Sequence, residues 1–383
     1  MDTLHDTLRR YVDDGTVPGA VGLVARGDDV EVVAVGSVDA DGTAPMARDS
    51  LFRVASLTKP VTAAAVMMLV EEGTLALDAP VARWLPELAE PLVVRTPRSP
   101  VDDVVPLVRP ITVEDLLSSR TGWGFPDDFS LPAVQALFSV QKDGRDLRDW
   151  PDPDTWLRLL AGVPLLHQPG DAWLYGTSSD LQGILVARAS GRTLPDFLAE
   201  RIFAPLGMAD TAFAASTRQP HRLTASYTRA PDGSLVPADT RYGAWTQVPR
   251  FHSGGGGLVS TADDWLAFAR MLLAGGEGNG RRLLGPESVR RMTTDHLTPE
   301  QRRAAGLFLE GEGWGYGGQV DVGTGAPWSV PGRYGWVGGT GTTAHLVPGT
   351  ATTAILLTQV AMESPTPLPI MRRFWECAAA GRP

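Results

Sequence analysis

The chain contains one cysteine, Cys377, among 383 residues, so it closes no internal disulfide. Lysine is almost missing as well, with two against thirty-two arginines, and Asn279 is the only asparagine. No apolar run reaches the roughly 18 residues that a membrane-crossing helix requires. The opening Met1-Asp2-Thr3-Leu4-His5-Asp6 has neither the basic nor the apolar region of a secretion signal, so a cytoplasmic location is expected. Positive charge is in deficit: the net charge is −10, which argues against nucleic acid and anionic membrane as partners. Gly-x-Ser-x-Gly does not occur, which excludes an α/β-hydrolase elbow. The six histidines show no ligand spacing, so neither a metal nor a cofactor is expected. Gly313-x-Gly315-x-x-Gly318 imitates a dinucleotide fingerprint but precedes no helical pattern, and Ser253 to Gly257 lacks the lysine of a phosphate loop.

What is present reads as an ordinary globular chain, 43% hydrophobic and 20% charged. Its length exceeds what one core usually supports, so two lobes are expected. Oligomeric state is not encoded in any pattern found.

The scarcity of lysine gives Lys59 meaning. Arginine keeps its proton in a protein, whereas a buried lysine can lose it, because desolvation favours the neutral amine. Lys59 stands three residues after Ser56 in Ser56-Leu57-Thr58-Lys59-Pro60, ahead of the apolar run Val61 to Val70. Residues i and i+3 share a helix face. Pro60 fits the first turn, where its missing N–H does little harm. A helix apolar all round is buried in a domain. A neutral amine beside a hydroxyl can take its proton and make it a nucleophile. The bland alternative is an N-cap serine with a snorkelling lysine. The other lysine, in Ser139-Val140-Gln141-Lys142, has the same spacing. It precedes Asp143-Gly144 and a charged stretch, so that copy reads as the water-facing end of a helix.

Periodicity predicts a helix over 2–14, strands Val21 to Ala25 and Val30 to Val35 around a Gly27-Asp28-Asp29 turn, and helices at 131–141, 153–161, 178–190 and 193–203. Thr112 to Asp115 reads as a capping box, and Thr261 opens another helix. Strands return at Thr343 to Val347 and Thr353 to Val360, before a final helix over 366–379. The expectation is an α/β (α+β) fold with a mostly antiparallel sheet flanked by helices. Residues 1–77 and 245–383 would form the sheet domain, and 78–244 an inserted all-helical domain. The Ser56 helix would lie at their interface, a usual place for a pocket.

Two further stretches bear on chemistry. Tyr175 sits in the turn-rich Pro169 to Asp180, where a tyrosine near a lysine could act as a base; a core tyrosine is the plain alternative. Gly335-Trp336-Val337-Gly338-Gly339-Thr340-Gly341 offers glycines that let a ligand approach backbone N–H groups, or merely a bulge on an edge strand. His252, His345, Trp123, Trp245 and Phe251 are candidates for the pocket wall or for the core.

Taken in order, these elements resemble the serine β-lactamase and penicillin-binding-protein superfamily, most of all its class C branch and the family VIII carboxylesterases. Leu116 to Gly122, Pro205 to Thr211 and Gly255 to Asp264 are similar too, so the likeness covers roughly residues 5 to 375. The resemblance implies Ser56 as nucleophile and Lys59 with Tyr175 as its base. It implies an oxyanion hole from the N–H groups of Ser56 and Gly339. It places Trp336, Gly338 and Thr177 against substrate. Lactamases and peptidases carry lysine where Trp336 stands and asparagine where Thr177 stands. Without those groups an anionic substrate loses charge-assisted contacts of roughly 1.5–3 kcal/mol each. The expected substrate is therefore a small neutral ester with a small to medium acyl group. The alternatives are a β-lactamase or D-amino-acid peptidase, an acyltransferase, and a non-catalytic acyl-binding sensor.

Overall fold

A computed structural model describes residues 3–141, 147–216 and 219–380. Lys142 of the second Ser-x-x-Lys lies outside the described residues. The framework is a seven-stranded antiparallel sheet drawn from both ends of the chain. Its strands are β1 (Gly19–Arg26), β2 (Asp29–Gly36), β3 (Gly313–Trp314), β4 (Gln319–Val320), β5 (Tyr334–Gly338), β6 (Thr342–Val347) and β7 (Thr352–Thr358). The order across the sheet is β3-β4-β5-β6-β7-β1-β2. The β1–β2 hairpin pairs Arg26 with Asp29, leaving Gly27 and Asp28 as the two-residue loop. β1 then pairs with β7 from Ala20↔Thr358 to Arg26↔Thr352, which joins the two chain ends.

β1 is buried on both faces, so helices must cover both. The helices α1 (Leu4–Asp13) and α8 (Pro369–Ala380) cover one. A Cβ added at Gly22 would stand 2.6 Å from the Leu8 side chain and 3.4 Å from Phe374. α7 (Ala262–Leu273) packs against β1, β6 and β7 from the other. α1 starts with a reciprocal capping box between Thr3 and Asp6, which satisfies N–H groups of its first turn.

Beside the sheet lies α2 (Thr58–Glu71), buried from Thr58 to Leu69. It packs against α6 (Thr177–Ser190). The region between the two ends of the sheet also carries α3 (Val113–Leu117), α4 (Pro132–Gln141) and α5 (Pro153–Ala161). Thr112 caps α3 with Asp115 as its spacing predicts. Residues 78–244, expected to be all-helical, are helical in the main but hold two short two-stranded ladders, Val93–Val94 with Val104–Val105 and Ser226–Arg229 with Leu235–Asp239. The expected helix over 193–203 is split: Leu194–Leu198 is α-helical and Ala199–Phe203 widens to a π turn. Among the described residues no helix is long and apolar enough to cross a membrane.

Candidate active site

Ser56 lies just outside α2, on the 3₁₀ turn Ala55–Leu57. The helical periodicity alone puts it on the first α turn; the difference arises at Ala55, whose φ is +44°. That left-handed conformation costs an L-residue roughly 1–2 kcal/mol. Thr58 holds it in place. Its hydroxyl donates to the Ala55 carbonyl at 2.7 Å and accepts from the Leu258 N–H at 3.2 Å. Side chains three apart eclipse on a 3₁₀ turn, so the spacing still brings Ser56 and Lys59 together. Lys59 Nζ donates to Ser56 Oγ at 2.9 Å and to the Gly255 carbonyl at 2.6 Å. The lysine is 4% exposed.

Tyr175 arrives from the turn before α6. Its backbone pairs with Phe125 as an isolated antiparallel bridge, which fixes where the ring points. Its hydroxyl donates to Ser56 Oγ at 2.7 Å. Its ring centroid lies 4.7 Å from Lys59 Nζ. One serine oxygen therefore touches both an amine and a phenol. Trp336, on β5, donates its indole N–H to the Tyr175 oxygen at 2.9 Å.

Behind Lys59 lies a buried carboxyl. Asp180 accepts from Ser253 Oγ at 2.5 Å, from the Gly255 N–H at 3.1 Å and from Gln141 Nε2 at 3.2 Å. Burial pushes this carboxyl above its ordinary range, while the Ser253 bond, the Lys59 charge and the Gly255 and Gln141 N–H groups pull it back. The Gly255 peptide thus bridges Asp180 on its N–H side and Lys59 on its carbonyl side. The loop lies so near α6 that a Cβ at Gly254 would come within 2.5 Å of the Ser179 carbonyl.

These groups open into a cleft of about 700 Å³. Ser56, Lys59, Tyr175, Trp336 and Gly339 all line it. No atom would meet a Cβ at Gly339 within 4 Å, so its backbone borders open space. Thr177 and Gly338, expected against substrate, do not line the cleft. Thr177 is buried at the start of α6, and its hydroxyl donates to Gln141 Oε1. Gly338 is a spacer: a Cβ there would meet Thr342 Oγ1 at 2.1 Å and the Val54 carbonyl at 2.5 Å. Its missing side chain lets β5 lie against the segment that carries Ser56.

Phe125, Phe129, Phe138 and Phe308 continue the wall beyond Tyr175. Elsewhere the lining includes Arg53, which pairs with Asp239 at 2.5 Å, and Arg148, whose guanidinium lies 4.3 Å from the Trp245 centroid. Burial, with Arg53 nearby, pulls Arg148 down to about 10. Of the other candidate wall residues, Trp245 lines the cleft. Trp123 and Phe251 are core residues, His345 is buried against Trp375, and His252 packs on Phe213. Gln141 is the member that spacing alone missed, since it belongs to the Ser139 motif read as water-facing. Ser139 is indeed exposed and bonds back to the Ala136 carbonyl, yet Gln141, two residues on, turns inward and is 3% exposed.

Residues 4–368 match the Beta-lactamase family. The chain is 39% identical over 351 residues to Protein Rv1367c of Mycobacterium tuberculosis, spanning 89% of this chain and 86% of that one. It is 34% identical over 333 residues to Esterase EstB of Burkholderia gladioli, spanning 83% and 78%. Its fold superposes on the solved structure of EstCE1, described as a hydrolase with promiscuous acyltransferase activity. The TM-score is 0.80 at 26% identity, with 98% of this chain and 97% of that chain covered. With a match running from α1 to the threshold of α8, and an esterase among its relatives, this chain belongs to the Beta-lactamase family.

Proposed function

We propose that the protein is a serine carboxylesterase that cleaves a neutral ester with a small to medium acyl group through an acyl-enzyme on Ser56. One observation carries the reading: Ser56 Oγ lies 2.9 Å from Lys59 Nζ and 2.7 Å from Tyr175 Oη. Both distances allow direct proton transfer.

The reaction runs in two halves. Ser56 Oγ bonds to the ester carbonyl carbon while its proton passes to the Lys59–Tyr175 pair. The carbonyl oxygen takes up the negative charge facing the N–H groups of Ser56 and Gly339. The carbon–oxygen bond to the alcohol then breaks, and Tyr175 returns the proton to the departing oxygen. Water attacks the acyl group next, giving its proton to the same pair, and Ser56 Oγ recovers a proton as the acid leaves. Trp336 supports the preference for neutral esters. Its indole lines the cleft with its one neutral N–H already taken up by Tyr175, where an ammonium would hold a substrate carboxylate. Acyl transfer to an added alcohol is the second reading, favoured by the likeness to EstCE1.

The test is chromogenic ester turnover alongside intact-mass labelling by a fluorophosphonate. Turnover abolished in Ser56→Ala, with one label mapping to Ser56, supports the reading. A stoichiometric burst without turnover points to an acyl-binding sensor, and faster turnover of a chromogenic cephalosporin than of esters points to a β-lactamase. Retained ester turnover in Ser56→Ala would overturn the assignment of the nucleophile.

A further inference from the structure

The cleft on the Tyr175 side is apolar in an organised way. Phe308 stacks on Tyr175 with centroids 4.8 Å apart. Phe129 meets Phe308 edge-on at 6.3 Å, and Phe125 and Phe138 follow at 6.3 Å each from Phe129 and 4.9 Å from one another. The four rings come from three parts of the chain: the segment after α3, α4, and the short helix Gly306–Leu309. All four line the cleft, and Phe129 and Phe138 are only half-buried. The box thus offers aromatic surface to whatever enters, and covering such surface is favourable.

The position of the box says which half of an ester it meets. Tyr175 is the group that hands a proton to the departing oxygen, so rings packed along Tyr175 border the alcohol portion. We propose that Phe125, Phe129, Phe138 and Phe308 form the alcohol subsite, and that the alcohol it takes is an aryl or branched apolar one. This inference rests on the reading of Ser56 and Tyr175 given above. It has a kinetic consequence of its own. Once the acyl-enzyme has formed the alcohol has gone, so the box accelerates acylation and leaves deacylation unchanged.

Two ester series read this out. One holds the acyl group as acetyl and varies the alcohol from ethanol through benzyl alcohol to 2-naphthol. The other holds ethanol and varies the acyl chain from acetyl to octanoyl. Because phenols also leave more easily, the comparison is between enzymes within each series. Phe129→Ala and Phe138→Ala, both at half-buried rings, should lower kcat/KM for benzyl and naphthyl acetates about tenfold relative to ethyl acetate. The acyl-chain profile and the single-turnover deacylation rate should stay within about twofold of wild type. Phe138→Leu, which keeps apolar bulk, should recover most of the loss. An unchanged alcohol series, or an equal shift of the acyl-chain profile, overturns the subsite. Fluorophosphonate labelling of Ser56 at the wild-type rate shows that a variant kept its site. If wild-type Ser56 does not label and Ser56→Ala still turns over ester, the nucleophile reading has failed and the subsite falls with it.

Discussion

The indole N–H of Trp336 donates to the phenolic oxygen of Tyr175 across 2.9 Å, and that phenol donates to Ser56 Oγ across 2.7 Å. A residue of the terminal sheet thereby sets the orientation of a residue from the helical region. The donor is neutral, so it aims the phenol without adding the positive charge that would attract an anionic substrate.

Removing that donor while keeping the ring tests its role. Trp336→Phe should lower kcat/KM for a neutral ester by about tenfold, the scale of one lost hydrogen bond of roughly 1.4 kcal/mol. The melting temperature should hardly move. Steady-state kinetics beside a thermal melt checks this, and unchanged kinetics would show that the bond is incidental.

Lys59 and Tyr175 share one oxygen, so their contributions should not add. Lys59→Arg keeps a cation that cannot give up its proton, and Tyr175→Phe keeps the ring without its hydroxyl. Each should cost on the order of 10³-fold or more in kcat, and the double variant little beyond the worse single. A double-mutant cycle on ester turnover measures this. Full additivity would mean that the two act separately.

The spacer at 338 gives a steric prediction. In Gly338→Ala the new methyl would meet Thr342 Oγ1 at 2.1 Å and the Val54 carbonyl at 2.5 Å, so β5 must move away from the Ser56 turn. The cost should be about 1–3 kcal/mol of stability, with a loss of activity that exceeds it. Denaturant unfolding and kcat/KM together check the pair of effects. Gly339→Ala, where no atom lies within 4 Å, should leave stability unchanged.

Asp321 ties stability to pH. It is 2% exposed and pairs with Arg333 at 3.4 Å, yet burial pushes its carboxyl up to about 6 against that pairing. A folded value above the unfolded one means that the folded state binds this proton more tightly. The resulting stabilisation is fully present below about pH 4 and is lost as pH rises through about 6, some 3 kcal/mol at most. Asparagine does not titrate. The melting temperature of Asp321→Asn relative to wild type should therefore climb between pH 4 and pH 7. A flat or falling difference across that window would refute the assignment.

Several parts of the fold and site were legible because their determinants are local. Lys59 is paired with Ser56 by a spacing of three, which holds on the 3₁₀ turn as on an α turn. The capping residues Thr112 and Thr261 sit where their side chains meet N–H groups three residues on. Other features depend on contacts between distant segments and left no local trace. Thr177 occupies the place of a substrate-binding residue in the motif, but its hydroxyl is taken up by Gln141 from another helix. Gln141 reads as the end of an exposed helix until Asp180 and Thr177 are placed around it.

Composition and short-range pattern alone determined that a rare lysine stands one turn from a serine, that this helix is apolar all round, and that strands occur near both chain ends. Backbone geometry over a few residues is enough for each. Tertiary structure alone decided that Tyr175 and Trp336, 161 positions apart, share a hydrogen bond beside Ser56. It also decided that four phenylalanines from three segments face one cleft. The physical reason is that burial and side-chain direction are set by what packs from elsewhere in the chain, and no window of neighbouring residues contains that information.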